Sequence, residues 1–143
     1  MIPPFVFRFP VPEDQLYDIG NWHSPYFFLA FFQARVALFE SFGVTQERIR
    51  QNGFAVIIKS LFCDYFAPLR RGDAALIEVV PKELGRSSMT FSYAVYKYGD
   101  AERKVRALGT TVQSLVDRNT GKSAELPDWI RNPLLELLLL KET

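Results

Sequence analysis

The sequence predicts an α+β domain in which one long central helix is wrapped by a curved antiparallel sheet of about five strands, with a further helix at the C-terminus. Two observations carry this prediction. An almost continuously apolar segment runs from His23 to Gly43, and from Ala55 onward the apolar residues recur with a period of two. Short turns separate the later segments, and short turns join antiparallel neighbours.

The chain begins with a predicted strand and a loop. Residues Pro4–Val11 alternate in polarity, and Pro10 places this strand at the edge of the sheet or marks its end. The next residues, Pro12–Trp22, are polar and rich in turn formers. They predict a loop that leads into the helix.

The central helix is predicted over His23–Gly43. Ser24 suits the N-cap, because its hydroxyl can accept a hydrogen bond from a free N–H of the first turn, and Pro25 suits the first helical position. Gly43 suits the left-handed residue that commonly follows a helix. The segment is apolar on nearly every side, which is typical of a buried helix. It is too short and too rich in polar residues for a membrane span.

The later strands are predicted over Ala55–Phe66, Ala75–Val80, Met89–Tyr98 and Lys104–Val116. The first is apolar on both faces, as expected of a strand that is covered on both sides. In the third, one face is apolar and carries Met89, Phe91, Tyr93 and Val95. In the last strand the alternation slips near Ala107–Gly109, which predicts a β-bulge.

The C-terminal segment Pro127–Leu140 predicts one helix, or two that are interrupted at Pro133. Its leucine run is expected to pack on a partner surface. A single central helix covers only part of one face of the sheet. The remaining apolar surface therefore predicts a homodimer or homotetramer.

Composition restricts the class of protein. The 143 residues fit one domain, residues 1–143, and the net charge of +1 without a basic run argues against a nucleic-acid partner. The single cysteine, Cys63, excludes an intramolecular disulfide and suits a reducing compartment. The N-terminus lacks the features of a signal peptide, so a cytoplasmic location is expected. The thirteen Phe residues predict a thick aromatic core or an apolar ligand tunnel.

Few residues carry chemistry. Phosphate-loop, zinc-protease and nucleophile-elbow motifs do not occur, and one histidine with one distant cysteine predicts no metal site. The segment Tyr17–Ser24 remains, directly before the helix. Free N–H groups and the helix dipole can stabilise an oxyanion there, and Asp18 and His23 can act as bases or orient water. The alternative is that Asp18 is a turn residue and that His23 only packs.

Several motifs resemble the 4-hydroxybenzoyl-CoA thioesterase-like branch of the hotdog superfamily. They are Gly20–Ser24, Ala34–Phe39, Gly43, Gly85–Ser88 and Pro127–Arg131. The resemblance covers nearly the whole chain. It implies the hotdog fold and a thioesterase that acts on an acyl-CoA or on an acyl chain held by a carrier protein.

The resemblance also implies roles for the residues before the helix. The family's nucleophile or general base is an Asp at the position of Tyr17, and Asp18 lies one residue later. His23 falls on the first residue of the family's Asn/His pair. The backbone N–H at Ser24 falls where the family holds the thioester carbonyl. Asp18, helped by His23, is expected to activate water or to attack directly.

Substrate binding is expected from apolar residues, which would hold the acyl chain, and from polar or charged residues, which would hold coenzyme A. The acyl chain would lie in an apolar tunnel beside the helix, lined by its Phe side chains. Coenzyme A enters as part of the substrate, with no resident cofactor. The candidates for substrate contacts are Tyr26, Phe27, Arg70, Arg71, Arg86, Ser87 and Ser88. The three arginines, together with Lys82, are candidates for the phosphates of CoA, and the alternative is that they are solvated turn charges.

Two other functions stay open. Asp18 and His23 have the Asp-x-x-x-x-His spacing of hotdog enoyl-CoA hydratases and dehydratases. Tyr17 at the position of the expected acid supports a non-catalytic module that binds an acyl chain.

Overall fold

The computed structural model describes the backbone of residues 5–142 and the side chains of residues 5–140. The predicted first strand begins at Pro4, which lies outside the described residues. The helices and strands are β1 (Phe5–Pro10), α1 (Pro25–Ser41), α2 (Gln46–Gln51), β2 (Phe54–Tyr65), β3 (Ala74–Leu84), β4 (Ser88–Lys97), β5 (Ala107–Asp117) and α3 (Asp128–Glu142).

The strands form one sheet in the order β1-β3-β4-β5-β2, and each neighbouring pair is antiparallel. The predicted α+β architecture is therefore confirmed. Pro10 ends β1 opposite Ala74, and β1 is an edge strand, as the sequence predicts. The other edge is β2, which pairs with β5 along its length.

The core lies between α1 and the middle of the sheet. Phe31 stacks on Tyr93 of β4 with ring centroids 4.3 Å apart, and Phe39 meets Phe91 edge-on at 5.6 Å. A Cβ atom at Gly109 of β5 would lie 2.4 Å from the Phe31 ring. Glycine is therefore required at this position, because it lets the helix approach the sheet closely.

The predicted bulge at Ala107–Gly109 is wrong. These residues keep continuous register with β2, and the irregularity of that pair lies between Ile58 and Ser60 on β2. A second irregularity lies between Pro81 and Glu83 on β3, where proline lacks the N–H that a ladder needs. The break in alternation at Gly109 reflects the close approach of the Phe31 ring.

The predicted interruption of the C-terminal helix at Pro133 is also wrong. α3 is continuous, with Pro133 inside it. Ile130, Leu134 and Leu137 are buried in the same core cluster as α1. This burial on both sides of the proline offsets the hydrogen bond that the proline removes.

The expected cover of β2 is not found within the described part of the chain. Apart from Phe54, which is partly buried, its large apolar side chains are between 37% and 56% exposed. Leu29 and Phe32 of α1 are also exposed, at 40% and 41%. A strand with apolar residues on both faces at an uncovered edge leaves a surface that this chain does not bury itself.

Candidate active site

The loop before α1 is held by a buried tryptophan. The N–H of Trp22 donates to the carbonyl of Leu69 at 2.8 Å, which ties the loop to the connection between β2 and β3. The Trp22 ring contacts the rings of Phe9 and Phe27, with centroids 5.8 and 4.5 Å away. The residues on either side of Trp22 are thereby held at the start of the helix.

Asp18 lies in a tight turn that projects into solvent. Its Oδ1 accepts from the N–H of Ile19 at 3.0 Å. Ile19 has φ +57° and is 84% exposed, and Gly20 has φ +80°. A left-handed β-branched residue costs about 1–3 kcal/mol and is therefore a feature that the surrounding loop imposes. The turn leaves Oδ2 of Asp18 without a partner among the described residues.

Tyr17 and His23 stack on each other. Their ring centroids are 4.5 Å apart and their planes differ by 19°. The backbone supports this pair, because the Tyr17 N–H donates to Asn21 and the His23 N–H donates to Gln15. The position where the resemblance places an acid thus carries an aromatic ring that covers the imidazole.

Ser24 precedes α1 as predicted, but its hydroxyl makes no capping hydrogen bond. The reason is its backbone, which is already helical at φ −54° and ψ −38°, whereas a capping residue is usually extended. The N–H groups of Tyr26 and Phe27 bond back to His23 and Ser24. The Ser24 N–H has no partner within the described residues, so it is a free donor at the positive end of the helix dipole.

Tyr65 supports this helix start, and the sequence did not single it out. Its hydroxyl donates to the Ser24 carbonyl at 2.9 Å. Its ring meets Phe27 edge-on at 5.0 Å. Partial desolvation of this side chain, more than the neighbouring Cys63, raises the pKa of Tyr65 to about 12, so the hydroxyl keeps its proton at neutral pH. A tyrosine at the end of an otherwise apolar strand was the one signal available.

Tyr26 and Phe27, both predicted to contact substrate, have different surroundings. Phe27 is 2% exposed and supports Trp22 from the core side. Tyr26 is half-buried, and its ring lies 6.2 Å from the imidazole of His23. Tyr26 therefore borders the candidate site, whereas Phe27 lies beneath it.

Arg70 and Arg71 lie beside the same loop. The Arg71 N–H donates to Gly20 at 3.0 Å, and its guanidinium pairs with Glu13 at 2.5 Å. Asn21 and Arg70 form an isolated β-bridge. Both arginines are exposed and lie at the end of the molecule that carries Asp18.

Arg86, Ser87 and Ser88 lie at the opposite end of the sheet. They follow β3, which begins near the loop at Ala74 and extends for 11 residues to Leu84. At about 3.3 Å per residue, that strand separates the two sets by roughly 30 Å. One copy of the chain therefore does not bring all the predicted substrate contacts together.

A cavity of about 570 Å³ lies beside the second half of α1. Its walls come from α1, α2 and the start of β2, and Phe32 and Phe39 are among them. The sequence predicts a tunnel lined by phenylalanines of the helix. The cavity also contains Arg35, which that expectation did not include.

The described residues contain no helix long and apolar enough to cross a membrane.

A family model for the thioesterase-like superfamily matches residues 15–134. A curated protein of Aquifex aeolicus, named "Putative esterase", is 28% identical over 124 residues, which are 87% of this chain and 92% of that protein.

Two solved structures share the fold. A 1,4-dihydroxy-2-naphthoyl-CoA thioesterase from Synechocystis has a TM-score of 0.86 at 18% identity, covering 94% of this chain and 98% of that one. A hypothetical protein of Staphylococcus aureus, solved in complex with CoA, has a TM-score of 0.88 at 11% identity, covering 97% and 87%. The hotdog fold expected from the sequence is thereby confirmed.

Proposed function

The chain belongs to the thioesterase-like superfamily, and we propose that it hydrolyses the thioester of an acyl-CoA or of an acyl chain held on a carrier protein. The observation that carries this proposal is the free N–H of Ser24 at the start of α1. A thioester carbonyl that accepts from this N–H gains stabilisation as negative charge develops on its oxygen. One such donor is worth about 3–4 kcal/mol in the transition state.

Asp18 is the proposed base or nucleophile. Its free Oδ2 can take a proton from water, whose oxygen then attacks the carbonyl carbon as the C–S bond breaks. Alternatively the carboxylate attacks directly, and water hydrolyses the resulting anhydride. In both routes the thiolate of CoA or of the carrier leaves and takes up a proton. His23, which stacks on the Tyr17 ring, would orient the water.

The uncovered β2 supports a homodimer, or a homotetramer built from it. Two copies that pair their β2 edges antiparallel about a two-fold axis put the Tyr65 end of one strand beside the Phe54 end of the other. Ser88 pairs with Ser114, and Ser114 pairs with Ile57, near that Phe54 end. Pairing would thus place Arg86–Ser88 of one copy at the same end of the dimer as Ser24 of the other.

Release of thiol from a panel of acyl-CoA substrates tests the proposed reaction. We expect Asp18→Asn to lower kcat by at least about 100-fold, as expected for loss of a positioned base. Asp14→Asn is the matched control, since Asp14 is an exposed acid of the same loop. Full activity of the Asp18 variant would show that Asp18 has no such role.

Light scattering on the full chain tests the proposed assembly. Leu61 is 49% exposed on β2, and Leu61→Glu places a charge on the proposed interface. We expect a mass of one chain for this variant and a multiple of it for the natural protein. A monomeric natural protein with full activity would contradict the assembly but not the reaction.

A non-catalytic acyl-binding module is the second candidate function, and the Tyr17 ring over His23 is the observation that favours it. Tight binding of acyl-CoA without thiol release, for every substrate tested, would support this function. Hydration of crotonyl-CoA without thiol release would instead support the enoyl-CoA hydratase hypothesis.

A further inference from the structure

Arg35 is a buried cation without an anion. It lies in the middle of α1 and is 5% exposed. Its Nη1 donates to the hydroxyl of Tyr93 at 3.0 Å and to Oγ1 of Thr111 at 3.4 Å. Nε and Nη2 have no hydrogen-bond partner, and no carboxylate pairs with the guanidinium, among the described residues. The Phe32 ring lies 5.6 Å from the guanidinium carbon, but a cation–π contact is weaker than an ion pair, and a buried cation without an anion is costly.

The two hydroxyls orient this guanidinium but do not neutralise it. The Tyr93 and Thr111 oxygens are 2.7 Å apart and bond to each other. Burial is the main influence on Tyr93 and raises the pKa of its hydroxyl, so the group stays neutral. Both contacts use Nη1. The edge formed by Nε and Nη2, which binds a carboxylate with two parallel hydrogen bonds, is left open.

Arg35 is one of the residues that line the cavity beside α1. The volume of about 570 Å³ lies within the range of small-molecule sites. Most of the wall is apolar, with Val36, Phe39 and Ile58 as examples. The cavity therefore combines an apolar body with one buried, oriented cation.

The charges at the rim reinforce the same preference. Arg50 and Arg118 also line the cavity, and Glu47 is the one acid among its lining residues. Glu47 lies 3.8 Å from Arg50, with both side chains mostly exposed. The cavity as a whole is thus positively charged, with its most buried charge at Arg35.

We propose that this cavity takes the far end of the acyl group and that Arg35 binds a carboxylate there. The preferred substrates are then thioesters of dicarboxylic acids, with one end esterified to the thiol and the other end free. This inference rests on the proposed thioesterase function. α1 rises about 16 Å from Ser24 to Arg35. The acyl chain length that is hydrolysed best will therefore measure the path of the acyl group between the Ser24 N–H and the Arg35 guanidinium.

Pairs of substrates that differ only at the far end test the inference. They are adipoyl-CoA against hexanoyl-CoA, and dodecanedioyl-CoA against lauroyl-CoA. For at least one length we expect kcat/KM to be about 10- to 100-fold higher for the carboxylate. Arg35→Met should lower this ratio of kcat/KM values to about one. A general loss of activity affects both substrates equally and therefore cancels in the ratio. Arg8→Met is the control, since Arg8 lies on β1, the edge strand opposite β2, and its guanidinium contacts the Tyr98 ring.

Binding to the natural protein separates this inference from the proposed reaction. The probes are thioethers that cannot be hydrolysed, S-(5-carboxypentyl)-CoA and S-(11-carboxyundecyl)-CoA, each against the S-alkyl-CoA of equal length. Tighter binding of a carboxylated probe supports the inference even if Arg35→Met does not fold or no thioester is hydrolysed. Hydrolysis of thioesters with no preference for a carboxylate in turnover or binding would overturn the inference and leave the proposed function intact.

Discussion

The start and the middle of α1 are both held by a tyrosine hydroxyl from the sheet, but in opposite ways. At the start, Tyr65 donates to the Ser24 carbonyl and leaves a main-chain N–H free. In the middle, Tyr93 accepts from Arg35 and leaves one edge of a side chain free. The first arrangement depends on where the backbone lies, and the second depends on which residue is present. One helix thus carries a free N–H at Ser24 and a buried cation at Arg35, eleven residues later, and these are the proposed partners of the reacting carbonyl and of the far end of the substrate.

The largest expected effect comes from removing the donor at the start. Ser24→Pro deletes the N–H, and the native φ of −54° suits proline. We expect kcat to fall by about 100- to 1000-fold, because one oxyanion donor is lost. Ser24→Ala keeps the N–H and removes only a hydroxyl that makes no capping bond, so its kcat should stay within about threefold. Equal losses in the two variants would place the role of Ser24 in its side chain.

The next effect disturbs the middle of the helix and spares its start. Gly109→Ala places a methyl group against the buried Phe31 ring, which itself stacks on Tyr93. We expect the free energy of unfolding to fall by about 1–3 kcal/mol in a urea titration. Thr110→Ala, on the neighbouring position of the same strand, is the control. An unchanged urea midpoint for Gly109→Ala would show that α1 can move away from β5 at little cost.

A smaller effect is expected from Tyr93→Phe. The variant removes the nearer of the two acceptors of Arg35 Nη1 and leaves Thr111, with a loss of about 1–2 kcal/mol of stability. If orientation of Arg35 matters, selectivity for a carboxylated thioester should fall while hydrolysis of lauroyl-CoA falls less. The ratio of the two kcat/KM values is the measurement. A loss shared equally by both substrates would assign Tyr93 to folding alone.

The smallest effect is expected from Tyr65→Phe, with a loss of about 1 kcal/mol of stability at neutral pH. The pKa of Tyr65 is raised from 10.0 to about 12, chiefly by burial. The unfolded chain therefore ionises first. The contribution of Tyr65 to stability is full below pH 10 and is lost as the pH rises toward 12. Unfolding measured across this interval should show a steeper fall for the natural protein than for Tyr65→Phe, and parallel curves would contradict the assignment.

The sequence predicted the features that local patterns determine. Pro25 and the apolar run located α1, and the alternation of Met89, Phe91, Tyr93 and Val95 located the buried face of β4. It failed where a long-range contact decides the local structure. The glycine at position 109 breaks the alternation of the strand, and the sequence therefore predicted a bulge there. The actual reason for a glycine is the ring of Phe31, far away in the sequence, which leaves no room for a Cβ atom.

Only part of the candidate site was predictable, because local patterns identify only residues that are close together in the sequence. The residues before α1 were found because they lie together in the sequence. Tyr65 and the pair Tyr93–Thr111 meet α1 only through the order of the strands, which no local pattern reveals. The roles of Asp18, His23, Arg70, Arg71 and Arg86–Ser88 stay predictions.

The uncovered β2 also bears on how the protein is made in a cell. With 12 residues it is the longest strand, and its apolar edge is open to any other extended chain as soon as it forms. In a crowded cell, a second copy would then compete with misfolded neighbours for this edge. If two copies pair through β2 as proposed, the yield of folded protein depends on how soon two nascent chains meet, and the melting temperature rises with protein concentration.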